Sequence, residues 1–116
     1  MYEERRWGTY KVLSDVPYSD GSRALTKTIT LREGKNISYQ LHHHRDEVWT
    51  IVDGKGLFVL DGEVREVGRG DVCVIRKEQK HAIKALTELV FIEVQIGLPL
   101  VEEDIERLSD NPFESL

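Results

Sequence analysis

The chain has 116 residues, 40% of them hydrophobic and 32% charged, which is the size of one small domain around a single core and too short for two. Its formal charge of −5 opposes a phosphate-backbone partner, so nucleic acid is not expected. No run approaches the roughly 20 apolar residues of a membrane-spanning helix. The charged opening Tyr2-Glu3-Glu4-Arg5-Arg6 does not read as a secretory leader, and the lone Cys73 cannot close an intramolecular disulfide, so a cytoplasmic location is expected.

Short β-branched or aromatic runs separated by glycine-bearing turns predict an all-β sandwich or barrel. Strands are expected over residues 8–13, 23–31, 37–42, 48–52, 56–60, 63–67, 71–75, 82–85 and 89–96, with a loop over 14–22. Asp61-Gly62 reads as a two-residue hairpin turn, because both residue types tolerate positive φ. Residues 89–96 alternate apolar side chains on both faces, so one face needs a cover. A homodimer partner would supply it, and so would a short C-terminal helix over 101–108, predicted from Val101, Ile105 and Leu108 at i, i+4 and i+7. The last sixteen residues carry six acidic and one basic side chain, whereas the first hundred are balanced.

Three of the four histidines fall together in Gln40-Leu41-His42-His43-His44-Arg45-Asp46-Glu47, and the fourth is His81. Imidazole and carboxylate side chains that converge from different strands can hold a divalent transition metal. Strand parity puts Gln40 and His42 on one face. Arg45-Asp46 looks like a bend, so parity is not carried past it, and His44 remains open as an alternative to Gln40. Lys27 shares parity with Leu25, Ile29 and Leu31, which points an amine into an otherwise apolar barrel face or lets it snorkel to the rim. Trp7 and Trp49 read as core aromatics, and Cys73 as an inert buried thiol.

The spacing Gly34-x5-Gln40-x-His42-x4-Glu47-x6-Gly54, followed by Gly70-Asp71 and then His81, resembles the two metal motifs of the cupin superfamily. Glutamine stands at the first ligand position, where that superfamily usually has histidine, and Glu78 stands where it has glycine. Arg5-Arg6-Trp7-Gly8, the segment Gln40 to Trp49, Ile92 to Gly97 and Glu103 to Leu108 extend the likeness over nearly the whole chain. In these segments the chain is similar to the type II mannose-6-phosphate isomerase cupin, which many relatives carry behind a mannose-1-phosphate guanylyltransferase domain; no nucleotide-binding domain is expected in these residues. That family typically has histidine at Val48.

The resemblance implies a double-stranded β-helix and one divalent ion, zinc first, with iron, manganese, cobalt or nickel as other occupants. The ligands would be Gln40, His42, Glu47 and His81. It also implies interconversion of mannose 6-phosphate and fructose 6-phosphate through an enediol. Such chemistry needs a tuned acid/base, for which Lys27, His44 and Glu93 are candidates, since a metal-bound Glu47 would be too weak a base. It also needs cations for the phosphate, for which Arg45, Arg76 and Lys80 are candidates within the charged stretches that flank the ligands. Two other expectations stand beside the isomerase: a cupin that binds a small sugar-like ligand or metal without turnover, and a metal-dependent oxygenase.

Overall fold

The computed structural model describes residues 2–109 and 112–113, and every element among them is a β-strand. In chain order these are β1 (Tyr2–Arg5), β2 (Gly8–Pro17), β3 (Arg23–Leu31), β4 (Tyr39–Leu41), β5 (Arg45–Asp53), β6 (Lys55–Leu60), β7 (Glu63–Gly68), β8 (Val72–Ile75), β9 (His81–Ala85), β10 (Leu89–Gly97) and β11 (Glu106–Ser109). They form a six-stranded sheet in the order β1-β2-β3-β10-β5-β8 and a five-stranded sheet in the order β11-β4-β9-β6-β7. The pairings are antiparallel. The inward faces of the two sheets enclose the core, as expected where apolar and polar residues alternate with period two.

The predicted Asp61-Gly62 turn closes β6 on β7, with φ of 48° and 84° at its two residues, the left-handed pair that a type I′ turn demands. The expected loop over 14–22 starts later than its composition indicated, because β2 runs on to Pro17 through a bulge at Val12/Ser14 and keeps pairing with β3.

The helix expected over 101–108 is not formed. Val101–Asp104 is a turn, and β11 follows it by pairing with β4. Three apolar positions in eight residues give little helical driving force, and here the backbone finds its hydrogen bonds in the neighbouring strand instead. The cover expected from that helix is therefore missing, and the outer face of the six-stranded sheet displays Val52, Val72, Val74 and Ile96, each between 42% and 50% exposed.

Register sorts the inward side chains of the six-stranded sheet into rows. Tyr10, Ile29, Phe91 and Ile51 make an apolar floor. The next row holds Val12, Lys27, Glu93 and Trp49, and the one after it Asp15, Leu25, Gln95, Glu47 and Ile75. At the mouth, Arg23 and Arg45 flank Gly97. A side chain at Gly97 would stand 2.7 Å from the His44 carbonyl and 2.9 Å from Arg45 Cβ, so glycine is what lets the start of β5 come this close. Polarity thus rises row by row toward one end of the barrel, and that end carries the site.

Candidate metal centre

His42 directly follows β4, Glu47 points inward from β5, and His81 opens β9. Their ligand atoms lie within 4.8 Å of one another, and all three residues are at most 2% exposed. His42 Nδ1 lies 2.7 Å from the Asp104 carbonyl and His81 Nδ1 lies 2.9 Å from the Gln79 carbonyl, so each ring donates through Nδ1–H and turns Nε2 toward the cluster. Trp49 Nε1–H donates to Glu47 Oε1 at 3.0 Å, which leaves Oε2 to face His42 Nε2 at 3.3 Å. These outer contacts fix ring and carboxylate orientation in the way that a metal ligand's neighbours do.

The donor set passes a test of fit. His81 Nε2 is buried and has no hydrogen-bond partner, a costly state for a polar atom unless a Lewis acid takes its lone pair. Burial, together with the Arg45 charge, pushes His42 down to about 4, and burial lowers His81 as well. Both rings are therefore neutral at pH 7, as metal coordination requires.

Arg45 lies across this cluster. Its Nε donates to Glu47 Oε2 at 2.8 Å and its Nη2 donates to His42 Nε2 at 3.0 Å. Above it opens a cavity of about 1110 Å³ whose lining includes Gln40, Arg45, Lys27, Glu93 and Gln95. Glu93 is 6% exposed and accepts from Gln95 Nε2 at 2.6 Å. Burial, and next the negative charge of Glu47, raise its carboxyl to about 7, while Lys27 opposes the shift. Lys27 Nζ rests 4.4 Å above the Tyr10 ring.

Three of the four expected ligands, His42, Glu47 and His81, therefore converge. The fourth, Gln40, lies on the cavity wall opposite His81 in register, with its Oε1 accepting from Ser38 Oγ at 3.2 Å. Among the expected acid/base groups, Glu93 and Lys27 line the cavity, but His44 does not: its side chain is exposed and its backbone N–H is tied to Asp104. Arg45 reaches the site because β5 begins at Arg45 rather than after a bend. Arg76 and Lys80 do not reach the cavity. Both are exposed, with Arg76 3.7 Å from Asp46 and the Lys80 N–H bonded to Asp61, since the turn that carries them lies outside the barrel. Cations absent from the expected set, Arg5, Arg6, Arg23 and Arg107, line the cavity in their place. Arg23 was legible, for it shares parity with Lys27. Arg107 was hidden by the helix reading of its segment. Cys73 is fully buried, as expected, and burial pushes its thiol up to about 11.

Two antiparallel sheets enclosing a His/Glu/His cluster beneath an open mouth define a cupin. The chain belongs to the mannose-6-phosphate isomerase C-terminal family, whose sequence profile matches residues 2–110. It is 32% identical over 108 residues to a mannose-1-phosphate guanylyltransferase of Escherichia coli K12, covering 91% of this chain and 22% of that protein. It is 35% identical over 108 residues to the alginate biosynthesis protein AlgA of Pseudomonas putida, again covering 91% of this chain and 21% of the relative. The chain thus spans about a fifth of the length of the curated relatives it matches. Among solved structures, KdgF from Halomonas sp. superposes with a TM-score of 0.77 at 18% identity, covering 89% of this chain and 91% of KdgF. Oxalate decarboxylase from Bacillus subtilis superposes with a TM-score of 0.76 at 17% identity, covering 93% of this chain and 30% of that one. Both likenesses are of fold. No helix among the described residues is long and apolar enough to cross a membrane.

Proposed function

We propose that the chain is a metal-dependent isomerase of a sugar phosphate, with mannose 6-phosphate and fructose 6-phosphate as the first pair. The observation that carries this reading is the unpartnered His81 Nε2 beside His42 and Glu47, beneath a cavity that holds both a tuned carboxyl and a set of cations. The family match directs it to mannose 6-phosphate.

His42, His81 and Glu47, with the Gln40 amide as fourth donor, would hold a divalent ion, zinc first for this donor set. Bound there, the ion would supply Lewis-acid polarisation of the substrate carbonyl. Glu93 is the general base. Its carboxylate takes the C2 proton of the aldose as the C1 carbonyl electrons move onto O1. The O2 hydroxyl proton then passes to O1, and the carboxyl returns its proton to C1 as the C2 carbonyl forms, so the step balances without a co-reactant. A carboxyl held near 7 suits both halves of this exchange at neutral pH. Lys27, opposite Glu93 in register, holds positive charge beside the reacting carbons. Arg45 at the mouth, near Arg23, takes the phosphate, because a guanidinium can engage two of its oxygens at once.

Val74, Val48 and Val94 form a continuous row across β8, β5 and β10 on the outer sheet face, which supports a homodimer through that face.

The test is to load the protein with zinc, supply mannose 6-phosphate and follow fructose 6-phosphate, with a chelator-stripped sample and a His81→Ala variant beside it. Zinc-dependent turnover that is lost in both controls upholds the reading. Zinc binding and sugar-phosphate binding without turnover would replace it with a binding module, a second reading that the lid formed by Arg45 over the cluster favours. Failure of wild-type protein to take up zinc, manganese, cobalt, nickel or ferrous iron would overturn the metal site itself.

A further inference from the structure

We infer that Asp104 is a positioning residue that locks His42 in the one neutral tautomer able to offer Nε2 to the cluster. The inference rests on the proposed function only in naming what Nε2 is offered to.

Asp104 makes three contacts to consecutive residues. Its main-chain carbonyl accepts His42 Nδ1–H at 2.7 Å, and its two carboxylate oxygens accept the backbone N–H groups of His43 at 2.8 Å and His44 at 2.9 Å. The side chain thus grips the turn that follows His42 while the carbonyl sets the protonation of its ring. Asp104 is 9% exposed, so water does not compete well for these bonds.

The segment that presents Asp104 is anchored on both sides. Before it, the Leu100 carbonyl accepts Arg23 Nη1–H at 3.0 Å, and the Asp104 N–H donates to the Val101 carbonyl at 3.2 Å. After it, Glu106 pairs with Leu41, the residue that precedes His42. The carboxylate is what closes this frame. Without it, nothing on the His43-His44 backbone holds the Asp104 carbonyl opposite the ring, and the Nδ1–H tautomer is left to the Arg45 Nη2–H bond at Nε2 alone, which an entering metal ion must displace. A ring protonated at Nε2 has no lone pair there to give. His81 does not depend on this device, for its Nδ1–H goes to the Gln79 carbonyl two residues away.

The experiment records ring ¹⁵N–¹H correlation spectra of the metal-free protein at pH 7, and zinc affinity by competition with a chelator. The samples are wild type, Asp104→Ala, Asp104→Asn and, as a destabilised control, Val67→Ala, whose side chain is buried in the core on β7. Wild type is expected to show His42 as a single Nδ1–H tautomer. Asp104→Ala should lose the single tautomer, with an Nε2–H form appearing beside the Nδ1–H form that Arg45 still favours, and should bind zinc roughly 10-fold to 100-fold more weakly. Asp104→Asn, which keeps one acceptor but turns an amide donor toward a backbone N–H, should fall between, and it carries the test if the alanine variant does not fold. Val67→Ala should melt earlier with its His42 spectrum and zinc affinity unchanged. If the Asp104 variants keep the Nδ1–H signature and merely melt earlier, Asp104 is a structural tether and the inference is overturned. If wild type takes up no zinc, the proposed function falls, and the ring spectra alone decide this inference: loss of the single tautomer in the Asp104 variants upholds it and its retention overturns it.

Discussion

Arg45 Nε lies 2.8 Å from Glu47 Oε2, the same oxygen that stands 3.3 Å from His42 Nε2. The guanidinium therefore already neutralises the buried carboxylate, and an entering cation must take Glu47 away from it. Arg45→Met leaves Glu47 buried without a counter-charge, which is expected to destabilise the metal-free protein by about 3 kcal/mol. The variant should bind zinc about tenfold more tightly than wild type and gain more in melting temperature when zinc is added. Its affinity for a sugar phosphate should fall. Calorimetric titration of both proteins checks this, and equal zinc constants would show that Arg45 does not compete for the site.

Glu93 makes stability and activity depend on pH in opposite directions. Its folded pKa, near 7, lies above the ordinary 4.5, so the native state holds a proton that the unfolded chain has released. Its contribution to stability is complete below about 4.5 and is lost as pH rises through 7. Urea unfolding in the presence of chelator should show this decline for wild type, and Glu93→Gln should flatten it. Turnover should rise through the same range as the base form appears, and Glu93→Gln should abolish turnover while zinc still binds. An equally steep stability slope in the variant would assign the shift to another group.

Glu78 occupies a left-handed conformation, with φ of 66°, in the turn before His81. Its N–H donates to the His42 carbonyl at 2.7 Å, which fixes the backbone there, while its side chain meets exposed His43 at 3.1 Å. A residue with a Cβ is strained in this region and glycine is not. Glu78→Gly is therefore expected to stabilise the protein by about 1 kcal/mol, raising the melting temperature by roughly 4 °C. A lower melting temperature would mean that the contact with His43 outweighs the backbone strain.

The row of Val74, Val48 and Val94 leads to a test of assembly. Val94→Glu puts a charge at the β10 end of that row, where burial against a second copy would be prohibitive. Wild type should scatter light as a dimer, and the variant as a monomer with unchanged zinc affinity. A wild-type monomer at millimolar concentration would remove the dimer from consideration.

The resemblance of the residue spacing to the cupin motifs was enough to single out His42, Glu47 and His81, and the structure brings these three side chains together. Parity was enough to turn Lys27 inward. It also settles Val48: since Glu47 faces the cluster, its neighbour faces outward, and the exchange of a family histidine for valine falls on the outer sheet face rather than in the site. Arg45 was harder to place. A charged residue at a strand end reads as a bend, and its inward direction is decided by Glu47 and His42, which no local pattern displays. The turn at Asp104 and strand β11 were illegible for a related reason. Their hydrogen bonds go to β4 and the His42 turn, about sixty residues earlier in the chain, while the local apolar spacing mimics a helix. Strand β1 has a composition too charged to announce a strand, and it forms by pairing with β2.

Trp49 is 1% exposed, its indole N–H is committed to Glu47, and its ring meets His81 edge-on at 5.6 Å. An electronic change at that carboxylate or that imidazole is therefore felt directly by a fluorophore held in a rigid apolar wall. The chain carries its own optical gauge: Trp49 emission should shift when a closed-shell ion settles on Glu47, and a paramagnetic ion such as cobalt should quench it, so occupancy can be followed in real time without a label.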